Sequence, residues 1–172
     1  FALQSVKAVA TPYNSSPTTF NDEGIALNES KAYDQDPDSF ALVITNSSKS
    51  LEYYSFDTGS HSNDEDVKQL NVYFDLEVVN ISDDNWSIEY SENAGSSWNV
   101  LTNNNSNLSR TVLVFYDLTE YTDYDWSWNE IANDLRVRIR VIVNGVEDNA
   151  SVKIYETWAT AIVDDSGPSI QS

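Results

Sequence analysis

Leu135-Arg-Val-Arg-Ile-Arg-Val-Ile-Val143 places Leu135, Val137, Ile139, Val141 and Val143 at every second position, with Arg136, Arg138 and Arg140 between them. A period of two puts the apolar set on one face of an extended chain and the arginines on the other, the pattern of a strand with one face in a core. Trp86, Ile88 and Tyr90 alternate in the same way with Ser87 and Glu89. Further runs rich in β-branched and aromatic residues fall at about 39–46, 51–57, 68–81, 97–102, 110–118 and 149–163. Polar turn segments separate them, among them Asp57-Thr-Gly-Ser-His-Ser-Asn-Asp64 and Thr102-Asn-Asn-Asn-Ser-Asn107. Many short strands divided by turns predict an all-β chain folded as a β-sandwich of the jelly-roll kind, with an extended N-terminal strand. One helical turn is expected within Asp125-Trp-Ser-Trp-Asn-Glu-Ile-Ala-Asn133.

The N-terminal segment reads differently. Residues 1–11 have strand composition, with Phe1, Leu3, Val6 and Val9 as apolar anchors, and residues 12–19 form a Pro/Ser/Thr stretch expected as an extended spacer. The sandwich is then residues 20–172. An apolar strand on a tether needs a sheet: either it returns to its own domain or it completes the sheet of a neighbouring copy.

Composition bears on location. Eight Asn-x-Ser/Thr sites occur, at Asn14, Asn28, Asn46, Asn80, Asn85, Asn104, Asn107 and Asn149, about twice the number that the Asn, Ser and Thr content gives by chance. Such sites accept glycans only outside the cytoplasm and on exposed backbone, so N-glycans and an extracellular, cell-surface location are expected. There is no Met, no Cys and no charged segment leading into an apolar stretch, as expected of a mature exported chain. Without cysteines, disulfides contribute nothing, and stability rests on the core, ions or association. No apolar run reaches the roughly 20 residues of a membrane helix. The net charge of −19 repels nucleic acid and favours cations as small partners.

Three resemblances follow from particular residues. Ser91-Glu-Asn-Ala-Gly-Ser-Ser-Trp98 resembles a single Asp-box hairpin, with Asn93 in the Asp position, which implies a braced turn with Trp98 packed beneath it. The stretch from Trp126 to Arg140, running on to Val163, is similar to the closing half of jelly-roll domains in microbial surface proteins. The layout of apolar strand, spacer, β-body and dense sequons resembles subunits of microbial extracellular filaments assembled by donor-strand complementation. That resemblance implies a homopolymer of identical subunits.

The inventory of reactive groups argues against an enzyme. His61 is the one histidine, in a turn that reads as solvated loop, and there is no thiol. The arginines of 136–140 are expected to pair across strands with outward acids such as Asp75 and Glu77. Asp34-Gln-Asp-Pro-Asp38 sets Asp34, Asp36 and Asp38 at alternate positions, a candidate calcium loop, although Ser39 and Thr45 depart from the EF-hand pattern. Trp126, Trp128, Tyr116, Tyr121 and Tyr124 could form either an aromatic core or a sugar platform. The expected function is therefore a structural subunit of a surface filament, with a carbohydrate-binding or adhesive module as the alternative.

Overall fold

The alternating arginine segment is a central strand, and its neighbours explain the rest. In the computed structural model, residues 12–24, 26–61, 67–81, 83–115, 117–118, 126–144 and 149–163 are described. The strands are β1 (Pro12–Ser15), β2 (Pro17–Asn21), β3 (Ala26–Leu27), β4 (Ala41–Thr45), β5 (Lys49–Phe56) and β6 (Val67–Val79). They continue as β7 (Asn85–Ser91), β8 (Asn99–Asn104), β9 (Leu108–Phe115), β10 (Arg136–Ile142) and β11 (Ala150–Val163). A 3-10 turn spans Glu29–Tyr33, and one helix, α1, spans Trp128–Asn133.

One sheet runs β3-β4-β11-β6-β9, with β1 added to β11, and the other runs β2-β5-β10-β7-β8. Every pairing given is antiparallel. From β4 onward the chain passes between the sheets so that β4-β11-β6-β9 faces β5-β10-β7-β8, the strand order of a jelly roll. The β-sandwich read from the sequence is what the chain forms.

The core follows from the alternation. Val137, Ile139 and Val141 of β10 meet Leu70, Val72, Phe74, Leu76 and Val78 of β6 in one buried cluster, joined by Trp86, Ile88 and Tyr90 of β7. Burying each large apolar side chain contributes roughly 1.5–3 kcal/mol, the term that makes up for the missing disulfides. Trp126 and Trp128 belong to this core, at 2% and 1% exposure, so neither is a sugar platform. Trp128 opens α1, where Ser127 caps the helix: its Oγ accepts from the Glu130 N–H, and the Glu130 carboxylate accepts from the Ser127 N–H. That reciprocal cap turns Trp128 and Ile131, three residues apart, toward the sheets. Tyr116, Tyr121 and Tyr124 lie outside the described residues.

Two expectations need correction. The arginines of β10 do not reach Asp75 and Glu77, which sit on β6 in the other sheet. Their register places Arg138 opposite Glu89 and Glu52, and the pairs formed are Arg136 with Glu52 at 2.6 Å and Arg138 with Glu89 at 2.5 Å. Asp75 instead binds Arg110 and Glu77 binds Lys153. His61 is not a solvated turn residue: its ring stacks on Trp128 at 4.2 Å, with Tyr13 edge-on at 4.6 Å. The Trp98 ring meets the Arg138 guanidinium, 3.9 Å from the ring centroid. The hairpin itself is braced as expected. Ser91 Oγ accepts from the Gly95 N–H, Asn93 Oδ1 accepts from the Ser97 N–H, and Gly95 takes φ +84°.

The segment 12–19, expected as a spacer, is extended and also hydrogen-bonded into both sheets. Pro12 and Pro17 each open a strand, where the absent N–H costs nothing to the ladder. β1 pairs with the end of β11 and β2 pairs with β5, so the chain crosses between sheets at Ser16. Phe1, Leu3, Val6 and Val9, the expected donor-strand anchors, lie outside the described residues.

Candidate functional site

β11 is the strand on which the site is built. Its pairing with β6 slips by one residue between Ile154 and Glu156, a bulge that opposes Ile154 to Leu76 and Glu156 to Asp75. The bulge reverses the phase of the strand: Ala150, Val152 and Ile154 are buried before it, and Thr157, Ala159 and Ala161 after it. Glu156 and Trp158 are thereby set on the outer face. On the strand's other edge β4 ends its pairing at Ile154 and β1 begins at Ala159. The stretch between them has no strand partner on that side among the described residues.

A cleft of about 520 Å³ fills this position, lined by Asn14, Ser16, Gln35, Pro37, Glu156 and Trp158. Its volume lies in the range of small-ligand sites. The floor is aromatic. Trp158 lies opposite Tyr73 in register, and the two rings stack at 4.7 Å with planes 4° apart. Tyr73 stacks on the indole, and Trp158 also lines the cleft. Next along the sheet Tyr155 carries the Arg110 guanidinium 3.6 Å from its ring centroid and meets Phe40 at 5.4 Å.

Each wall is fixed by its own contacts. On one side the Ser15 hydroxyl donates to the Asp57 carbonyl at 2.5 Å, and the Asp57 N–H donates to the Ser16 carbonyl at 2.9 Å. Thr160 Oγ1 donates to Asn14 Oδ1 at 3.0 Å. The other wall is the loop of Asp34, Asp36 and Asp38. Arg110 holds it, donating to the Pro37 carbonyl at 2.8 Å while binding Asp75 with two nitrogens.

The carboxylates of this loop are turned to its own donors. Asp34 accepts from Lys31 Nζ, from the Asp36 N–H and from Ser39, and Asp36 accepts from the Asp38 N–H. The Lys31 hydrogen bond holds the Asp34 carboxyl below its ordinary range. Among the described residues no three acidic or histidine side chains converge as a ligand set. A calcium ion at Asp34, Asp36 and Asp38 would have to displace Lys31 and break these turns.

Glu156 is the one titrating group of the floor that stands far from its ordinary state. Burial, then the nearby Asp34, raise its carboxyl to about 7, with Asp75 and Asp36 adding to the effect and the Gln35 N–H opposing it. Its Oε1 is buried without a hydrogen-bond partner. In the folded state the proton is held more tightly than in the unfolded chain, so this contribution to stability is complete below about pH 4.5 and is lost as pH rises through about 7. Glu156→Gln should therefore melt at a higher temperature than the parent at pH 8 and with no such gain at pH 4. Equal midpoints at both values would mean that Glu156 ionises as a solvated carboxyl does.

Seven of the eight sequon asparagines are exposed, and Asn85 is half-buried. Sequence reading missed the cleft because its lining residues come from three separate segments. The phase change within 150–161 was the one signal available for it.

No family model matches the chain, and no curated protein matches it. Among solved structures it is similar to truncated AlyQ with CBM32 and alginate lyase domains, at a TM-score of 0.50 and 13% identity over 95% of this chain and 37% of that one. Weaker likenesses are the CBM32 of AlyQ in complex with 4,5-unsaturated mannuronic acid (TM-score 0.46, 12% identity, 87% of this chain and 97% of that one) and TmCBM61 in complex with β-1,4-galactotriose (TM-score 0.33, 11% identity, 85% and 83%). This chain thus spans about a third of the first of these proteins, and what it shares with it is the β-sandwich.

Proposed function

We propose that the chain is a carbohydrate-binding, adhesive β-sandwich of an extracellular surface, with the β11 cleft as its sugar site. The observation that carries this reading is Trp158, stacked by Tyr73 and lining a cleft that Asn14, Gln35 and Ser16 also line. A sugar ring offers an apolar face to an indole and hydroxyls to such groups, and a rigid aromatic anchor needs little further ordering on binding. Exposure of the sequons away from the cleft supports N-glycosylation there, with Asn14 left unmodified because it lines the sugar site; the intact mass of the secreted protein would reveal or refute the glycans.

The test is titration of a panel of oligosaccharides against the parent and Trp158→Ala. Removing an aromatic anchor should cost about 2 kcal/mol of binding, roughly thirtyfold in Kd. The fold should survive, since Trp158 is only half-buried and an outer cross-strand pair contributes at most about 1 kcal/mol. Undiminished binding by Trp158→Ala would remove the cleft from the reading.

Assembly into a filament is the second reading, favoured by one feature. Among the described residues β4 is covered on its outer edge only by the two residues of β3, with Leu27 60% and Ile44 47% exposed. Such an edge can take a strand from another copy. Removing residues 1–11 should then abolish polymers in native material, whereas polymers that persist would exclude this strand as the donor.

A further inference from the structure

We propose that the cleft selects uncharged oligosaccharides and rejects those bearing carboxylate or sulfate; this rests on the carbohydrate reading. The argument is the charge of its walls. Glu156 lies in the floor with Asp75 opposite it in register, and Asp34, Asp36 and Asp38 form the loop that supplies Gln35 and Pro37. The cations closest to these groups are already engaged. Lys31 Nζ lies 2.9 Å from Asp34, and Arg110 Nη2 lies 2.8 Å from Asp75 with its guanidinium plane over Tyr155. Asp36, Asp38 and Glu156 form no ion pair among the described residues.

The polar side chains offered to a ligand beside Glu156 are the neutral Asn14, Ser16 and Gln35. These can donate to and accept from sugar hydroxyls. An anionic ring seated on Trp158 would meet the carboxylates of the 34–38 loop and the ionised fraction of Glu156, and among the described residues the cations beside them, Lys31 and Arg110, are already bound to Asp34 and Asp75. Discrimination of this kind needs only a repulsive element against the wrong ligand. The net charge of −19 for the whole chain adds a long-range barrier to the same ligands.

The experiment compares the best-binding neutral tetrasaccharide, from gluco-, galacto- and manno-series, with its counterpart oxidised at C6 to the uronate, using parent, Trp158→Ala and the double variant Asp36→Asn/Asp38→Asn. The uronate should bind the parent at least about tenfold more weakly, and the gap should narrow as salt shortens the Debye length from roughly 10 Å at 0.1 M to 3 Å at 1 M. The double variant should strengthen uronate binding severalfold. A uronate bound as tightly as the neutral sugar, through Trp158, would overturn the selectivity and leave the carbohydrate reading standing. Absence of binding by every sugar, or binding indifferent to Trp158→Ala, would overturn both.

Discussion

Trp128→Ala should destabilise the protein by about 3–5 kcal/mol, the range for removing a large buried aromatic whose cavity does not collapse. Trp128 is 1% exposed and opens α1, and its ring is stacked by His61 at 4.2 Å and met edge-on by Tyr13 at 5.4 Å. Tyr13 belongs to β1, the strand that carries Asn14 to the cleft. Close packing here is confirmed by Gly59, where an added Cβ would stand 2.6 Å from the Tyr13 hydroxyl. Loss of the indole should therefore weaken sugar binding along with stability, through a loosened β1. Urea denaturation gives the first quantity and titration the second. A loss under about 1 kcal/mol would show that α1 and β1 are held by other contacts.

Glu89→Ala should cost about 3 kcal/mol or more, because it leaves a charge of Arg138 without its partner inside the sheet. The side chains are 17% and 5% exposed, and Arg138 Nε and Nη2 both reach Glu89 Oε2, at 2.8 and 2.5 Å. Ser87 donates to the other oxygen at 2.7 Å, so both carboxylate oxygens are hydrogen-bonded. Trp98 covers the guanidinium from above, and water cannot readily replace the lost partner. Arg138→Met with Glu89→Leu should recover most of the loss, since apolar replacement of both members leaves no unpaired group. Equal stability of Glu89→Ala and the parent would mean that Arg138 finds solvent on its own.

Much of the fold was legible from alternation alone. β10 and β7 rest on side chains whose period of two states which face is buried, and the turn expected within 125–133 is α1. What alternation does not state is the partner of a strand. The arginines of β10 were placed rightly on an outer face, yet their acids could not be chosen, because Glu52 and Glu89 are close to them only through pairing 84 and 49 residues away in sequence, respectively. The stretch 12–19 was read as an extended spacer from its Pro/Ser/Thr composition, which does not state that extended chain pairs with a sheet, and proline at a first strand position leaves the ladder intact. His61 was read from its turn, whereas the ring beneath it comes from residue 128. The cleft was the least legible feature. It exists because one bulge at Tyr155–Glu156 turns Trp158 outward, and the shift of small and apolar residues from even to odd numbers within 150–161 is its one trace in the sequence.

The most direct measurement of the central claim is a heteronuclear NMR titration of the protein with the best-binding neutral tetrasaccharide, following the Trp158 indole N–H and the backbone amides of Asn14, Ser16, Gln35, Glu156 and Trp158. The cleft reading requires saturable shifts at these groups, with the far face of β10 at Arg136, Arg138 and Arg140 unmoved. Saturable binding that shifts the arginine face or the turn at 57–61 and leaves Trp158 unchanged would contradict it.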